Sequence, residues 1–232
     1  MKSTVRAQVK KILSKLLPNS MRIRYFSYLP MLEVFRKKHS NDYPVFKNRY
    51  QLYDYINNSV LKNTPIDFCE FGVYKGSSMK YWSNLNTNKN STFYGFDSFE
   101  GLPETWNQFS QTKEKKMFST EGQLPEINDD RITFIKGLYQ DTLPEFFKNF
   151  KNNHQLLIHN DSDLYSSTLY VLTFLNHIIV PETIIMFDDF TSMLHEFRAF
   201  DDYCSSYYRD FEMIGATVSS NNYYYQLAVR MK

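Results

Sequence analysis

From Ile66 onward, short apolar runs alternate with longer amphipathic stretches, and this alternation restricts the fold more than any other feature of the chain. IDFCEFG from Ile66, TFYGFD from Thr92, RITFIK from Arg131, QLLIH from Gln155 and TIIMF from Thr183 predict five strands. Between them, Gly76 to Leu85, Thr142 to Phe150 (with Pro144 in its first turn), Leu164 to Ile179 and Met193 to Tyr208 predict helices. Strands that alternate with helices imply an α/β fold with a mainly parallel sheet, because a parallel pair needs a long crossover. Phe211 to Ala216 and Tyr223 to Val229, with Asn221 and Asn222 nearby, predict a terminal hairpin that adds an antiparallel strand. At 232 residues the chain is sized for one core with additions. Residues 61–232 are expected to form that domain. Residues 1–60 lack strand alternation, break at Pro18, Pro30 and Pro44, and read as a helical N-terminal extension. Residues 104–130 are polar and read as a long loop with one helical turn.

Composition removes several classes of function. A net charge of +2 argues against a chain that coats nucleic acid. Two cysteines, Cys69 and Cys204, are too few for a disulfide framework or a four-thiolate zinc site, and point to a reducing, cytoplasmic setting. No apolar run approaches the roughly 18–20 residues of a membrane span. Residues 1–17 place Val5, Val9, Ile12, Leu13 and Leu16 against a lysine- and arginine-bearing face. Such a helix reads first as docked on its own domain or on a second copy in a homodimer, and second as touching an anionic membrane surface.

The predicted strand ends carry an excess of carboxylates. The first ends at Glu70, the second at Asp97, the fourth at Asp161 and Asp163, the fifth at Asp188 and Asp189. Ligands of open α/β sheets bind beyond these carboxyl ends. An aspartate there can also simply cap a helix, and a solvated Asp188-Asp189 pair is the plain alternative. If the fourth and fifth strands are neighbours, however, four carboxylates converge and repel. A hard divalent cation relieves that repulsion, and all-oxygen donors favour magnesium, or else manganese or calcium, over zinc.

Four of the seven glycines (Gly72, Gly76, Gly95, Gly101) fall within thirty residues, which suggests backbone approaching a ligand. FCEFGVYKGSS lacks the second glycine of a dinucleotide fingerprint, so a pyrophosphate cradle is incomplete and a dehydrogenase is disfavoured. What remains suits a cofactor without phosphates. Glu70 is placed to receive an ammonium group, Gly72 to admit a nucleoside or amino acid, and Asp97 to accept two ribose hydroxyls. S-adenosylmethionine has these features.

FCEFGVYKGSS, FYGFDSFEGLPETW, FIKGLYQDTLP, HNDSDLYSST and TIIMFDDF, in this order, resemble the macrocin, mycinamicin and novobiocin type of sugar O-methyltransferase over about Pro65 to Tyr203. The resemblance implies a class I methyltransferase: a Rossmann-like, mainly parallel seven-stranded sheet with a terminal antiparallel hairpin and helices on both faces. It implies S-adenosylmethionine as donor, a sugar or glycoside hydroxyl as acceptor, and Mg2+ in the site. Carried over by position, Asp161, Asp188 and Asp189 correspond to metal ligands and Asp163 to the general base. Glu70, Phe71, Gly72, Gly76, Ser77, Asp97, Ser98, Lys136 and Gly137 correspond to the cofactor pocket. Two departures concern the acceptor's surroundings: Asn160 stands where an aliphatic residue is expected, and Glu182-Thr183 replaces a glycine-containing turn. His195 and Glu196 read as a second base, a substrate contact or plain helix-start residues. His159 reads as a strand residue or an interstrand hydrogen-bond partner. The lysines of the 104–130 loop could close over a phosphorylated acceptor. A catechol-like diol as acceptor, or an adenosyl-binding module without catalysis, are the competing functions; an Asn-Pro-Pro-Tyr-like base-flipping motif is absent.

Overall fold

The computed structural model describes residues 6, 8–12, 21–39, 43–108, 112–218 and 224–232. Most of the N-terminal basic segment and the Asn221-Asn222 turn lie outside the described residues. Ten strands occur among them. Eight form the main sheet: β1 (Val45–Phe46), β2 (Ile66–Phe71), β3 (Thr92–Asp97), β6 (Ile132–Lys136), β7 (Gln155–Asn160), β8 (Ile184–Phe187), β9 (Phe211–Val218) and β10 (Tyr224–Met231). The other two, β4 (Trp106–Asn107) and β5 (Thr112–Lys113), make a small separate hairpin. The order across the sheet is β1-β9-β10-β8-β7-β2-β3-β6.

From β6 to β8 every neighbouring pair is parallel, and β10 pairs antiparallel with both β8 and β9. The seven expected strands are all present, and the eighth is β1, which pairs in parallel with β9 through Val45 and Phe46. A two-residue strand offers no alternation to read, which is why the sequence hides it. Residues 45–60, assigned from sequence to the helical extension, thus supply an edge strand and much of one face of the core.

Two apolar layers sandwich the sheet, as period-two side-chain alternation requires. Ile66 and Phe68 of β2 point to one face, where they meet Leu52, Tyr53 and Ile56 and also Met79 and Trp82. The first group belongs to α2 (Arg49–Tyr55) and its π-helical continuation (Ile56–Leu61), the second to α3 (Ser77–Leu85). Cys69 and Phe71 point to the other face and join Leu32, Phe35, Leu143, Phe147, Val171, Phe197 and Phe200. Those come from α1 (Met21–Lys38), α4 (Tyr139–Lys148), α5 (Tyr165–Phe174) and α6 (Glu196–Tyr207). Helix α4 begins three residues earlier than expected, so Pro144 falls in its second turn.

β2 and β7 are adjacent, and the chain leaves them toward opposite sides of the sheet. That reversal opens a crevice at their carboxyl ends. The expected helical turn in 104–130 is instead the β4-β5 hairpin, with Trp106 paired to Lys113. No described helix is long and apolar enough to cross a membrane.

Candidate active site

A cleft of about 640 Å³ lies over that crevice. Gly72, Asp97, Ser98 and Gly137 line one half, and Asp161, Asp163, Asp188 and Asp189 line the other. Ser77 lines a smaller adjoining pocket that shares Arg49, Tyr74 and Asp161 with the cleft.

The first half is held together by Asp97. Its carboxylate accepts the backbone N–H groups of Val73, Tyr74 and Phe99, each at 2.8 Å. A carboxylate has about four acceptor sites, so Asp97 shapes the loop and keeps capacity for about one further donor rather than the two expected. Leu138, 44% exposed beside it, presents an apolar surface suited to a planar base.

Gly72 lines the cleft and also has a role its sequence did not suggest. At φ +94°, a Cβ on Gly72 would overlap the Asp161 carbonyl oxygen, so the glycine lets β7 come close to β2. The same holds at Gly101, where a Cβ would collide with the Lys116 carbonyl. The glycine cluster therefore serves chain-to-chain approach first and lines the ligand space second.

Four expected cofactor residues do not reach the cleft. Phe71 is a core residue stacked on Phe96 at 4.9 Å. Glu70 is wholly buried beneath the floor, where its Oε1 accepts a hydrogen bond from Ser78 Oγ and pairs with His159 Nδ1 at 3.0 Å. It cannot take an ammonium group from the cleft without moving, because β2 points its side chain into the α2-α3 layer. Gly76 packs on Pro125, and Lys136 donates to the Gly122 carbonyl at 3.0 Å, steadying the long loop instead. His159 is the interstrand partner expected of it, bonded also to the Tyr53 hydroxyl at 3.1 Å.

The acidic half is charge-compensated by two cations. Arg49 reaches Asp188 at 2.9 Å, and Lys113 reaches Asp163 at 2.7 Å and Asp189 at 3.7 Å. Asn48 caps α2 by accepting the Gln51 N–H at 3.1 Å, which sets Arg49 in the first turn, facing the cleft. Lys113 comes from the hairpin and lies 4.4 Å from the Trp106 ring centroid and 4.8 Å from that of Phe118.

Burial, reinforced by Asp188 and Asp163, pushes the Asp161 carboxyl well above the usual carboxylate range. Burial also pushes Asp163 up to about 6, against the pull of Lys113 and with Asp189 adding to the rise. Asp188 is raised by burial despite Arg49. Asp163 sits at φ +59°, a left-handed conformation found at few non-glycine residues and concentrated at functional sites.

The donor chemistry fits a hard divalent cation: four carboxylates, no sulfur, no imidazole on the cleft wall. The arrangement answers that charge with Lys113 and Arg49, and no group of three acidic, histidine or cysteine side chains among the described residues is placed to hold a metal ion.

Sequence reasoning missed Arg49 entirely, because a lone arginine in NRYQLYDY carries no motif. It also left His195 open. In the fold His195 is a tether. Its Nδ1 accepts the Tyr165 N–H at 3.3 Å, so Nε2 carries the proton and donates to the Asn107 carbonyl at 2.8 Å. Its ring stacks on Trp106 at 5.5 Å, and burial lowers its pKa. Glu196 is buried behind the cluster, off the cleft wall.

A mainly parallel sheet ordered 3-2-1-4-5-7-6 along the domain's own strands, with a cofactor-sized cleft at the switch point, defines a class I S-adenosylmethionine-dependent methyltransferase. Residues 44–215 match the Macrocin-O-methyltransferase (TylF) family, and the chain belongs to it; it is an S-adenosylmethionine-dependent O-methyltransferase. A curated relative, the 8-demethyl-8-(2,3-dimethoxy-alpha-L-rhamnosyl)-tetracenomycin-C 4'-O-methyltransferase of Streptomyces olivaceus, is 25% identical across 82% of each chain. Among solved structures, the calicheamicin methyltransferase CalS11 superposes with a TM-score of 0.60 at 18% identity, covering 97% of this chain and 91% of its own. The O-methyltransferase NovP gives 0.57 at 20% identity over 78% of each chain. At those identities the two structures bear on the fold alone.

Proposed function

We propose that the enzyme methylates a hydroxyl of a sugar or glycoside, in bacterial polysaccharide or natural-product biosynthesis, with a divalent cation bound among Asp161, Asp188 and Asp189. The observation that carries this reading is the pairing of four cleft-facing aspartates from β7 and β8 with a separate Asp97-Gly137 half in one continuous cleft. The curated relative acts on a rhamnosyl group by its name, which supports a sugar acceptor here.

Donor and acceptor then divide the cleft. Asp97, Ser98 and Gly137, with the Leu138 surface, hold the adenosyl part of S-adenosylmethionine. The acidic half receives the acceptor. A sugar hydroxyl is a weak nucleophile near neutral pH, and a hard cation bound beside it would orient vicinal hydroxyls and lower their pKa. Asp163 accepts the hydroxyl proton as the oxygen–carbon bond forms and the sulfur–carbon bond breaks, releasing S-adenosylhomocysteine. Lys113, bonded to Asp163, favours the deprotonated base. The hairpin that carries Lys113 covers the cleft and excludes water from the reacting atoms. Proximity and alignment supply most of the acceleration, since the sulfonium methyl is already electrophilic.

The test is a methyl-transfer assay with isotopically labelled S-adenosylmethionine. A panel of rhamnosides, nucleoside-diphosphate sugars and catechols is offered with magnesium and with chelator. Label in a sugar product, lost on chelation, is the expected result. Turnover of catechols with no sugar turnover overturns the acceptor class, and full sugar turnover under chelation overturns the cation.

A further inference from the structure

Behind the acidic half lies a buried polar pair that touches no ligand space. Asn160 ends β7 and Glu196 opens α6, and both are wholly buried. Asn160 Nδ2 donates to Glu196 Oε1 and to Thr168 Oγ1, both at 3.1 Å, and Asn160 Oδ1 accepts from Ser162 Oγ at 3.1 Å. Glu196 Oε2 accepts the Asp189 backbone N–H at 3.0 Å. The Asp188 N–H donates to the Asn160 carbonyl at 3.1 Å. Each side-chain oxygen of Glu196 and each polar atom of the Asn160 amide therefore has a partner.

A buried carboxyl and amide are costly to desolvate, and an apolar pair of similar volume would commonly be as stable or more so. Asn160 also stands where the family resemblance implies an aliphatic residue. What the polar pair adds is connection. Through Asn160 and Ser162 it grips the loop that carries Asp161 and Asp163; through Glu196 Oε2 it grips the loop that carries Asp188 and Asp189. The two carboxylate pairs come from different strands, and a metal site needs their separation fixed to a few tenths of an ångström.

We propose that Asn160 and Glu196 are positioning residues, a bracket that fixes the Asp161-Asp163 loop against the Asp188-Asp189 loop and thereby sets the affinity of the carboxylate cluster for a divalent cation. The inference rests on the reading of that cluster as a cation site.

The experiment uses Mn2+ alone as the probe, its binding read by electron paramagnetic resonance, on the wild type, Glu196→Gln, Glu196→Met and the double variant Asn160→Leu/Glu196→Leu. The Kd for S-adenosylhomocysteine and the Tm are measured on each. Loss of such outer contacts weakens metal sites by roughly 10–100-fold. The double variant is expected to lose at least about tenfold in Mn2+ affinity while its S-adenosylhomocysteine Kd stays within about twofold. Glu196→Gln, which keeps an acceptor for the Asp189 N–H, is expected to retain most of the affinity. Should the double variant not fold, Glu196→Met carries the same expectation with the side-chain volume kept. A folded variant without the bracket that binds Mn2+ as the wild type does overturns the proposal alone. A wild type that binds S-adenosylhomocysteine but no Mn2+ overturns the cation reading and the bracket with it.

Discussion

At the scale of single residues, the proposed mechanism turns on Asp163, which combines a left-handed backbone, a raised pKa and a lysine partner. Asp163→Asn is expected to lower kcat by about 10²–10⁴ while S-adenosylhomocysteine binds as before, since general-base contributions are of that order. As the proposed base it must be deprotonated, so kcat/KM is expected to fall as pH drops through about 6. Lys113 lowers the Asp163 pKa, so Lys113→Met should move that acidic limb to higher pH. A limb that stays in place would remove Lys113 from the role. Gly72→Ala drives a methyl into the Asp161 carbonyl in a backbone region that side chains avoid. A loss of on the order of 3 kcal/mol in chemical denaturation is expected, because neither strand can give way. Aspartate motifs were legible as letters because chemistry needs that residue type at strand ends. Arg49 was not, because one cation on a helix has no pattern until the fold turns it toward Asp188.

At the scale of elements, the β4-β5 hairpin is the least autonomous part of the fold, with two residues in each strand. Its position depends on attachments to the core: His195 to Asn107, the Trp106-His195 stack, and Gln108 to Ser192 at 2.5 Å. One buried hydrogen bond and one aromatic stack together contribute about 1–3 kcal/mol. His195→Ala is therefore expected to free the hairpin while the sheet stays intact. Trp106 and Trp82 are the two tryptophans, and Trp82 is wholly buried on the core-facing side of α3, so a red shift in emission would report the hairpin. An unchanged spectrum and unchanged proteolysis at 104–118 would count against this attachment. The regular elements were readable because burial imposes a period on them: β3 occurs over the very residues its alternation marks. The hairpin was read as a loop because polar strands this short have no such period. The expected glycine turn before β8 survives in conformation, with Glu182 at φ +75°.

At the scale of the whole molecule, the clustered acids make stability depend on pH and, under the proposed cation reading, on a divalent cation as well. Asp161, Asp163, Asp188 and Glu196 are all raised in the folded chain, chiefly by burial. In the unfolded chain such groups titrate near 4. The folded state therefore binds more protons between about pH 4 and pH 6 and above, so this cluster's contribution to stability is greatest at low pH and is lost as pH rises through the folded values. A cation that binds only the folded cluster restores that stability by mass action. Millimolar magnesium is accordingly expected to raise Tm at pH 8 and to change it little at pH 5. Equal increments at the two pH values would show that the cation acts elsewhere.

The sequence by itself determined the α/β class, the order of its main elements and the kinds of residue at the strand ends, because periodic burial and acid chemistry both leave marks on neighbouring letters. The tertiary structure alone decided which of those residues face the cleft. Glu70 and Phe71 sit one place apart on β2, and the pleat sends them into opposite core layers, off the cleft wall. Arg49, remote from every motif, and Lys113, read only as one lysine of a polar loop, meet the aspartates because α2 and the hairpin fold over the carboxyl ends of β7 and β8. Gly72 owes its identity to the Asp161 carbonyl, a neighbour eighty-nine positions away that no local pattern encodes.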